Sequence, residues 1–331
     1  MANPYPMVEL WRGGLLESTH SGHAVIWGPG GIEEAWGDPT AVIFPRSSCK
    51  MIQALPLIET GAADAAGLTD AQLAFACASH QGEGRHVKMA GDWLTALDLA
   101  ETDLRCGAHE PYDRDERNRL IKSDESPCQL HNNCSGKHCG FLTVTRHLKA
   151  GPEYIEIDHP LQKLIRQTTE EITEESVAGW GVDGCSAPNF AVSVAGLARA
   201  MQAFAAASET GDVRSRAMHR LTRAMAGYPE YVAGEGRACT ELMRAMGHKV
   251  ALKTGAEAVF VAILPEQRRG IALKIVDGGT RGAEAAVTAL LLRAGVLDPA
   301  HPAAQKRLGG KLTNWRGTET GQVHAAPGFP G

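Results

Sequence analysis

Pro45-Arg46-Ser47-Ser48-Cys49-Lys50, Ala78-Ser79-His80-Gln81-Gly82-Glu83 and Lys253-Thr254-Gly255 stand in that order along a chain of 331 residues. The first stretch holds a Ser-x-x-Lys, the second a serine two residues before an amide, the third a Lys-Thr-Gly. In this order they are the parts of a serine nucleophile activated by lysine instead of histidine. The set points to a hydrolase that works through an acyl-enzyme.

A serine hydroxyl attacks at neutral pH only when a base takes its proton. Ser47 precedes a helical run, so the spacing predicts that it sits near a helix N-terminus, with Lys50 one turn along the same face. Free backbone N–H groups at that terminus would serve a developing oxyanion. A lysine is a base only when neutral, against an ordinary value of about 10.4. Burial or a second cation favours the neutral form, and Lys253 on a strand edge would be that cation. Ser79 would relay a proton to the leaving amine, and the N–H of Ala256 would join that of Ser47 in an oxyanion hole. Each piece alone also reads as ordinary structure: a capped helix, a solvated lysine, a turn. Their order and their flanking strand and helix patterns favour the joint reading. His80 and His86 offer a Ser–His alternative, but at a helix end they read more simply as satisfied polar residues.

A formal net charge of −5 argues against a nucleic-acid partner, and no run of like charge marks an interaction tail. Met1 to Leu10 lacks the basic-then-apolar pattern of a signal peptide. Ala285 to Leu297 is interrupted by Arg293 and too short to span a bilayer. Eight cysteines in such a chain read as thiols or metal ligands, and the expected compartment is the cytosol.

Strand patterns occur at Val8–Arg12, His23–Trp27 and Ala41–Phe44, and again at Ala251–Thr254, Ala258–Leu264 and Ile271–Val276. Between them the spacing predicts helices over Lys50–Thr60, Asp70–Ala78 with an Asp cap, Arg85–Leu99, Pro160–Glu175, Phe190–Ser208, Val213–Ala226 and Arg237–Met246. Thr280–Ala294 closes as an apolar helix. Glu110–Asn132 reads as a polar loop, and residues 314–331 as a Gly/Pro-rich loop or extension. The expectation is an α/β (α+β) fold with one sheet built from both chain ends: a sheet lobe of residues 1–46 and 248–313, a helical lobe of 47–247, and a site in the cleft between them.

His131-Asn132-Asn133-Cys134-Ser135-Gly136-Lys137-His138-Cys139 is dense in metal-ligand types, and Cys185 follows in Asp183-Gly184-Cys185. Two thiolates and an imidazole would hold zinc tetrahedrally; the plain alternative is a polar turn with buried thiols. No Cys-x-x-Cys is present, so this is no zinc ribbon. Cys49, Cys77, Cys106, Cys128 and Cys239 read as buried small apolar residues.

Taken together, Pro45–Gln53, Ala78–Glu83, His131–His138, Asp183–Cys185 and Lys253–Glu257 resemble the rhizobial-type L-asparaginases, from about Val8 to Val296. The resemblance implies a fold like that of serine β-lactamases and glutaminases, with an antiparallel sheet flanked by helices, in a cytoplasmic homodimer. It implies hydrolysis of L-asparagine to L-aspartate and ammonia, with Ser-Lys tandems at Ser47/Lys50 and Ser79/Lys253. It also implies zinc on Cys134, Lys137 and Cys185, in place of the imidazole, beside the substrate but not performing the chemistry. His138 and Asp183 would line that pocket. Gln81 stands where penicillin-binding proteins carry Asn, which speaks against a β-lactam or peptidoglycan substrate. The alternatives are a glutaminase or D-Ala-type peptidase on the same machinery, or a non-catalytic zinc- or metabolite-binding module.

Overall fold

The computed structural model describes residues 3–331. Met1 and Ala2, which open the stretch read for a signal peptide, lie outside the described residues. In chain order the strands are β1 (Tyr5–Arg12), β2 (Leu15–Gly28), β3 (Gly31–Trp36), β4 (Val42–Ile43), β5 (Gly179–Val182), β6 (Pro188–Ser193), β7 (Ala251–Gly255), β8 (Val259–Leu264), β9 (Arg269–Ile275), β10 (Lys311–Thr313) and β11 (Glu319–Ala325). The helices are α1 (Lys50–Gln53), α2 (Leu55–Glu59), α3 (Ala62–Ala65), α4 (Asp70–Ala76), α5 (Gly84–Ala96), α6 (Arg114–Lys122), α7 (Ser135–His147), α8 (Pro160–Thr173), α9 (Val194–Ala206), α10 (Val213–Gly227), α11 (Pro229–Val232), α12 (Ala238–Ala245), α13 (Thr280–Arg293) and α14 (Pro302–Gln305). The chain forms two compact units. The first takes the chain up to Ser48, Ser193–Ala206 and Glu241–Gly331; the second takes Cys49–Val192 and Ala207–Thr240.

The first unit is an antiparallel sheet in the order β10-β11-β1-β2-β9-β8-β7, with β3 also paired to β2. Strands from both chain ends build it, and β8 is buried at every residue. Register puts Trp27 opposite Gly270 and Ala24 opposite Leu273 on alternate faces. α9 lies on the Trp27/Gly270 face, where Arg199 stacks over Trp27. A Cβ on Gly270 would stand 2.2 Å from the α9 backbone at Gln202, so only glycine admits so close a helix. α13 covers the other face, where its Gly282 packs over His20 of β2.

The second unit is helical around α7, which is buried on every side from Ser135 to Thr145 and so behaves as a core helix. α4, α5 and α8 pack on it. A Cβ on Gly136 would meet the Phe75 carbonyl oxygen at 2.3 Å, which is how closely α7 and α4 approach. β5 and β6 form a hairpin at the edge of this unit.

Several expectations change. Lys50–Thr60 is two short helices, because Pro56 lacks the N–H that would continue the ladder. The cap of α4 is Thr69, whose hydroxyl accepts the Gln72 N–H while the Gln72 side chain takes the Thr69 N–H. Glu110–Asn132 contains α6, started by the Asp113 side chain on Glu116 N at 2.8 Å, with acids in its first turn and bases in its last. Phe190–Ser208 opens in β6 before α9 begins. The tail read as a loop or extension supplies β11, which pairs with β1 through Val8↔Ala325 and Leu10↔Val323.

Candidate active site

In the first unit, Ser47 is half-buried in a 3-10 turn, Arg46–Cys49, that runs straight into α1. The expected helix N-terminus is thus a tighter turn, with Lys50 opening the next one. Arg46 has φ 53, a left-handed backbone costing roughly 1–2 kcal/mol for a residue with a Cβ. Ser48 is spent on the turn itself: its N–H and its hydroxyl both donate to the Pro45 carbonyl, at 3.1 and 2.7 Å. Ser47 is therefore the serine of the pair whose hydroxyl this turn does not use. Gly255, at the end of β7, lies against the same turn. A Cβ there would stand 2.6 Å from Pro45 O and 3.0 Å from Ser48 N, which explains the glycine of Lys-Thr-Gly. Lys253 is buried on β7 opposite Val261, and its ammonium donates to Thr254 O at 2.7 Å. Ala256 is exposed in the β7–β8 turn, where Glu257 and Ala258 both take positive φ.

In the second unit, Lys50 is 1% exposed. Its Nζ meets three groups: the Ala78 carbonyl, Ser79 Oγ at 3.1 Å and Cys134 Sγ at 3.1 Å. The lysine of the first motif therefore contacts the serine of the second. The Ser79 segment is held by its N–H on Val232 O at 2.9 Å and by His80 N–H on Asn133 O at 3.2 Å. His80 Nδ1 accepts the Gly82 N–H, which leaves Nε2–H to donate to Ser135 Oγ at 3.0 Å. His80 is stacked between Phe75 and His86, and burial holds it well below its ordinary 6.5. The Ser–His alternative finds no support in these contacts, since both ring nitrogens of His80 are occupied elsewhere.

The thiol cluster belongs to the same unit. Cys134 enters α7 with its N–H on Asn132 Oδ1 at 2.8 Å, and its Sγ donates to Asn133 Oδ1 at 3.2 Å. Cys185 is presented by the β5–β6 turn, closed by Asp183 N–H on Ala187 O at 2.9 Å with Ser186 left-handed at φ 69. Lys137 Nζ lies 2.9 Å from Cys185 Sγ. A hydrogen bond from the Cys134 thiol, together with the Lys137 charge, holds Cys185 well below the usual thiol range in spite of burial. The same pairing, with burial, pushes Cys134 up. Burial pulls Lys137 down, but Cys185 and Cys134 pull harder, so its value is raised. His138 is wholly buried, pushed down to about 4 by burial, with Nδ1 2.9 Å from Tyr154 Oη. Asp183 is half-buried and adds its field at Lys137.

All eight cysteines are free; Cys49, Cys77, Cys106 and Cys239 are buried, while Cys128 is half-exposed. No group of three or more His, Cys, Asp and Glu side chains able to hold a metal forms among the described residues. The donors that do converge are two cysteines and a lysine, a set which that definition does not count. Sequence reasoning missed Asn132, Asn133 and Tyr154. An Asx two residues before a helix start is a capping signal that would have flagged Asn132; nothing in the sequence marks Tyr154. Among the described residues no helix is long and apolar enough to cross a membrane.

No curated protein matches the chain. Among solved structures it is similar to a β-lactamase from Mycobacterium bovis, at 12% identity over 83% of this chain and 95% of that one, TM-score 0.46. It is also similar to Mglu in its tris and glutamate form, at 13% identity over 90% of this chain and 64% of that one, TM-score 0.48. The family described as L-asparaginase II matches residues 8–325, which takes in every motif described above and the C-terminal strand β11. On that match the chain belongs to the L-asparaginase II family and is an amidohydrolase, an L-asparaginase that converts L-asparagine to L-aspartate and ammonia.

Proposed function

We propose that this hydrolysis runs through a serine acyl-enzyme of the rhizobial-type subclass, with Ser47 as nucleophile. The observation that carries this reading is the Lys50 amino group, buried and 3.1 Å from Ser79 Oγ, in a chain where Ser47 stands three residues before Lys50 on one run of helical turns. Lys50 takes the proton as Ser47 Oγ attacks the side-chain amide carbon of asparagine. Ser79 passes that proton to the departing nitrogen, which leaves as ammonia as the C–N bond breaks. Water then adds to the β-aspartyl ester with the same groups in reverse, and Ser47 regains its proton. The N–H groups of Ser47 and Ala256 are the proposed oxyanion donors. Lys253 is the second lysine of the tandems. His138 stands behind the thiols and is wholly buried, so Asp183 is the better candidate of the two for touching substrate.

Cys134, Lys137 and Cys185 suit zinc, which favours sulfur and nitrogen donors. Lys137 and Cys185 already touch, and the two thiols differ in their hold on a proton as a shared site requires. Binding there would release protons. When bound, the ion would orient the substrate beside the serines. A cytoplasmic homodimer completes the reading.

The test is ammonia release from L-asparagine and L-glutamine, with intact-mass analysis after a reactive amide analogue. Release from asparagine with one adduct on Ser47 supports the proposal. Release from glutamine alone replaces the substrate, and an adduct on another residue overturns the nucleophile.

A further inference from the structure

His138 follows Lys137 in α7, and its two ring nitrogens have unequal surroundings. Nδ1 lies 2.9 Å from Tyr154 Oη. That oxygen already accepts the Arg105 backbone N–H at 2.7 Å, so its own hydrogen is free to point at Nδ1. Tyr154 is itself completely buried, and its position is fixed by Gln162 Nε2 donating to its carbonyl at 2.7 Å. A ring nitrogen that accepts carries no proton, so a neutral His138 carries its single N–H on Nε2. Nε2 is buried with no hydrogen-bond partner of ordinary geometry. The acceptor within its reach is Cys185, in a contact looser than an ordinary hydrogen bond.

We propose that His138 is a positioning residue for the Cys134, Lys137 and Cys185 donors: the Tyr154 hydroxyl locks its ring in the Nε2–H tautomer, and that N–H holds the Cys185 sulfur in its binding position. The proposal rests on the zinc reading of those three residues. It runs opposite to a histidine ligand, because a protonated Nε2 has no lone pair to give a metal. The chain from Arg105 N–H through Tyr154 O–H to His138 thus ends as a donor to a ligand sulfur. Partners of this kind behind metal ligands typically contribute roughly 10–100-fold in affinity.

Two measurements test it. The first is the nitrogen-15 spectrum of histidine-labelled, metal-free protein, with the His138 signals identified by their loss in His138→Gln. The expected result is the Nε2–H tautomer in the unaltered chain and a mixture in Tyr154→Phe. The second is zinc affinity by competition with a chromophoric chelator. Tyr154→Phe should bind on the order of tenfold more weakly or worse, while His138→Gln, whose amide N–H replaces Nε2–H, should stay within about threefold of the unaltered chain. An Nδ1–H tautomer in the unaltered chain overturns the lock whatever zinc does. Unchanged zinc affinity in Tyr154→Phe overturns the positioning role. A chain that shows the Nε2–H tautomer but takes up no zinc refutes the zinc reading and leaves the lock standing. Should Tyr154→Phe not fold, the unaltered spectrum and His138→Gln still decide.

Discussion

Replacing Gly255 by alanine places one methyl group where the structure has no room. The new Cβ would stand 2.6 Å from Pro45 O, 3.0 Å from Ser48 N and 3.3 Å from Ser48 Cβ. The first two are backbone atoms, which cannot rotate aside. Relief to the 3.4 Å at which ordinary contact begins requires a shift of about 0.8 Å between β7 and the turn that carries Ser47. Overpacking of this kind costs about 1–3 kcal/mol of stability. Misplacing a reacting group by about 1 Å costs on the order of 100-fold in rate, which is about 2.7 kcal/mol of activation free energy. The assay is kcat/KM for ammonia release from L-asparagine, alongside the urea midpoint of the same preparation. The expected variant is folded, less stable, and about 100-fold slower, with the loss in kcat more than in KM. A Gly255→Ala enzyme with unchanged kcat/KM and midpoint would refute the reasoning that Lys-Thr-Gly braces the Ser47 turn.

Lys50→Met should remove a general base and cut kcat by roughly 10²–10⁴-fold, with a further stability cost from the buried Ala78 carbonyl left without its donor; steady-state kinetics on folded protein check it, and a loss below tenfold speaks against the role. His80 and His86 are both held below their ordinary 6.5 by burial, with His86 raised in part by Glu230 and Glu83 and His80 facing Lys50, His86, His109 and His131. The unfolded chain therefore takes up protons that the folded chain refuses, so stability is full above about pH 6.5 and falls below it by up to about 1.4 kcal/mol per pH unit for each ring. Urea midpoints between about pH 7.5 and about pH 5.5 read this slope, and a flat or rising midpoint on acidification contradicts it. Thr69→Ala, which breaks the α4 capping box, should cost about 1 kcal/mol of stability and leave kcat/KM untouched; a kinetic effect would mean that α4 reaches the site in a way its cap does not suggest.

What the sequence made legible was the chemistry with strong local signatures. Lys253-Thr254-Gly255 was readable as a strand end, and β7 ends at Gly255. Strands at both chain ends were readable as one sheet because β1, β2, β8 and β9 are apolar enough to show their period. β11 was not, since only Val323 among its residues is buried, and flanking glycines and prolines disguise it. α6 was hidden for a similar reason: it buries only Glu116 and Leu120. The contact of Lys50 with Ser79 and Cys134 was beyond sequence reasoning, because residues 29 and 84 positions apart meet through the packing of α1, α4 and α7 and through no local rule. The Tyr154–His138 contact is of the same kind.

The central claim is that Ser47 carries the acyl group. Ammonia release from L-asparagine by the unaltered chain and by Ser47→Ala tests it most directly. The account predicts release by the unaltered chain and a loss of about 10⁴-fold or more in the variant, with the urea midpoint preserved. A folded Ser47→Ala chain that still turns over asparagine at the unaltered rate would contradict it.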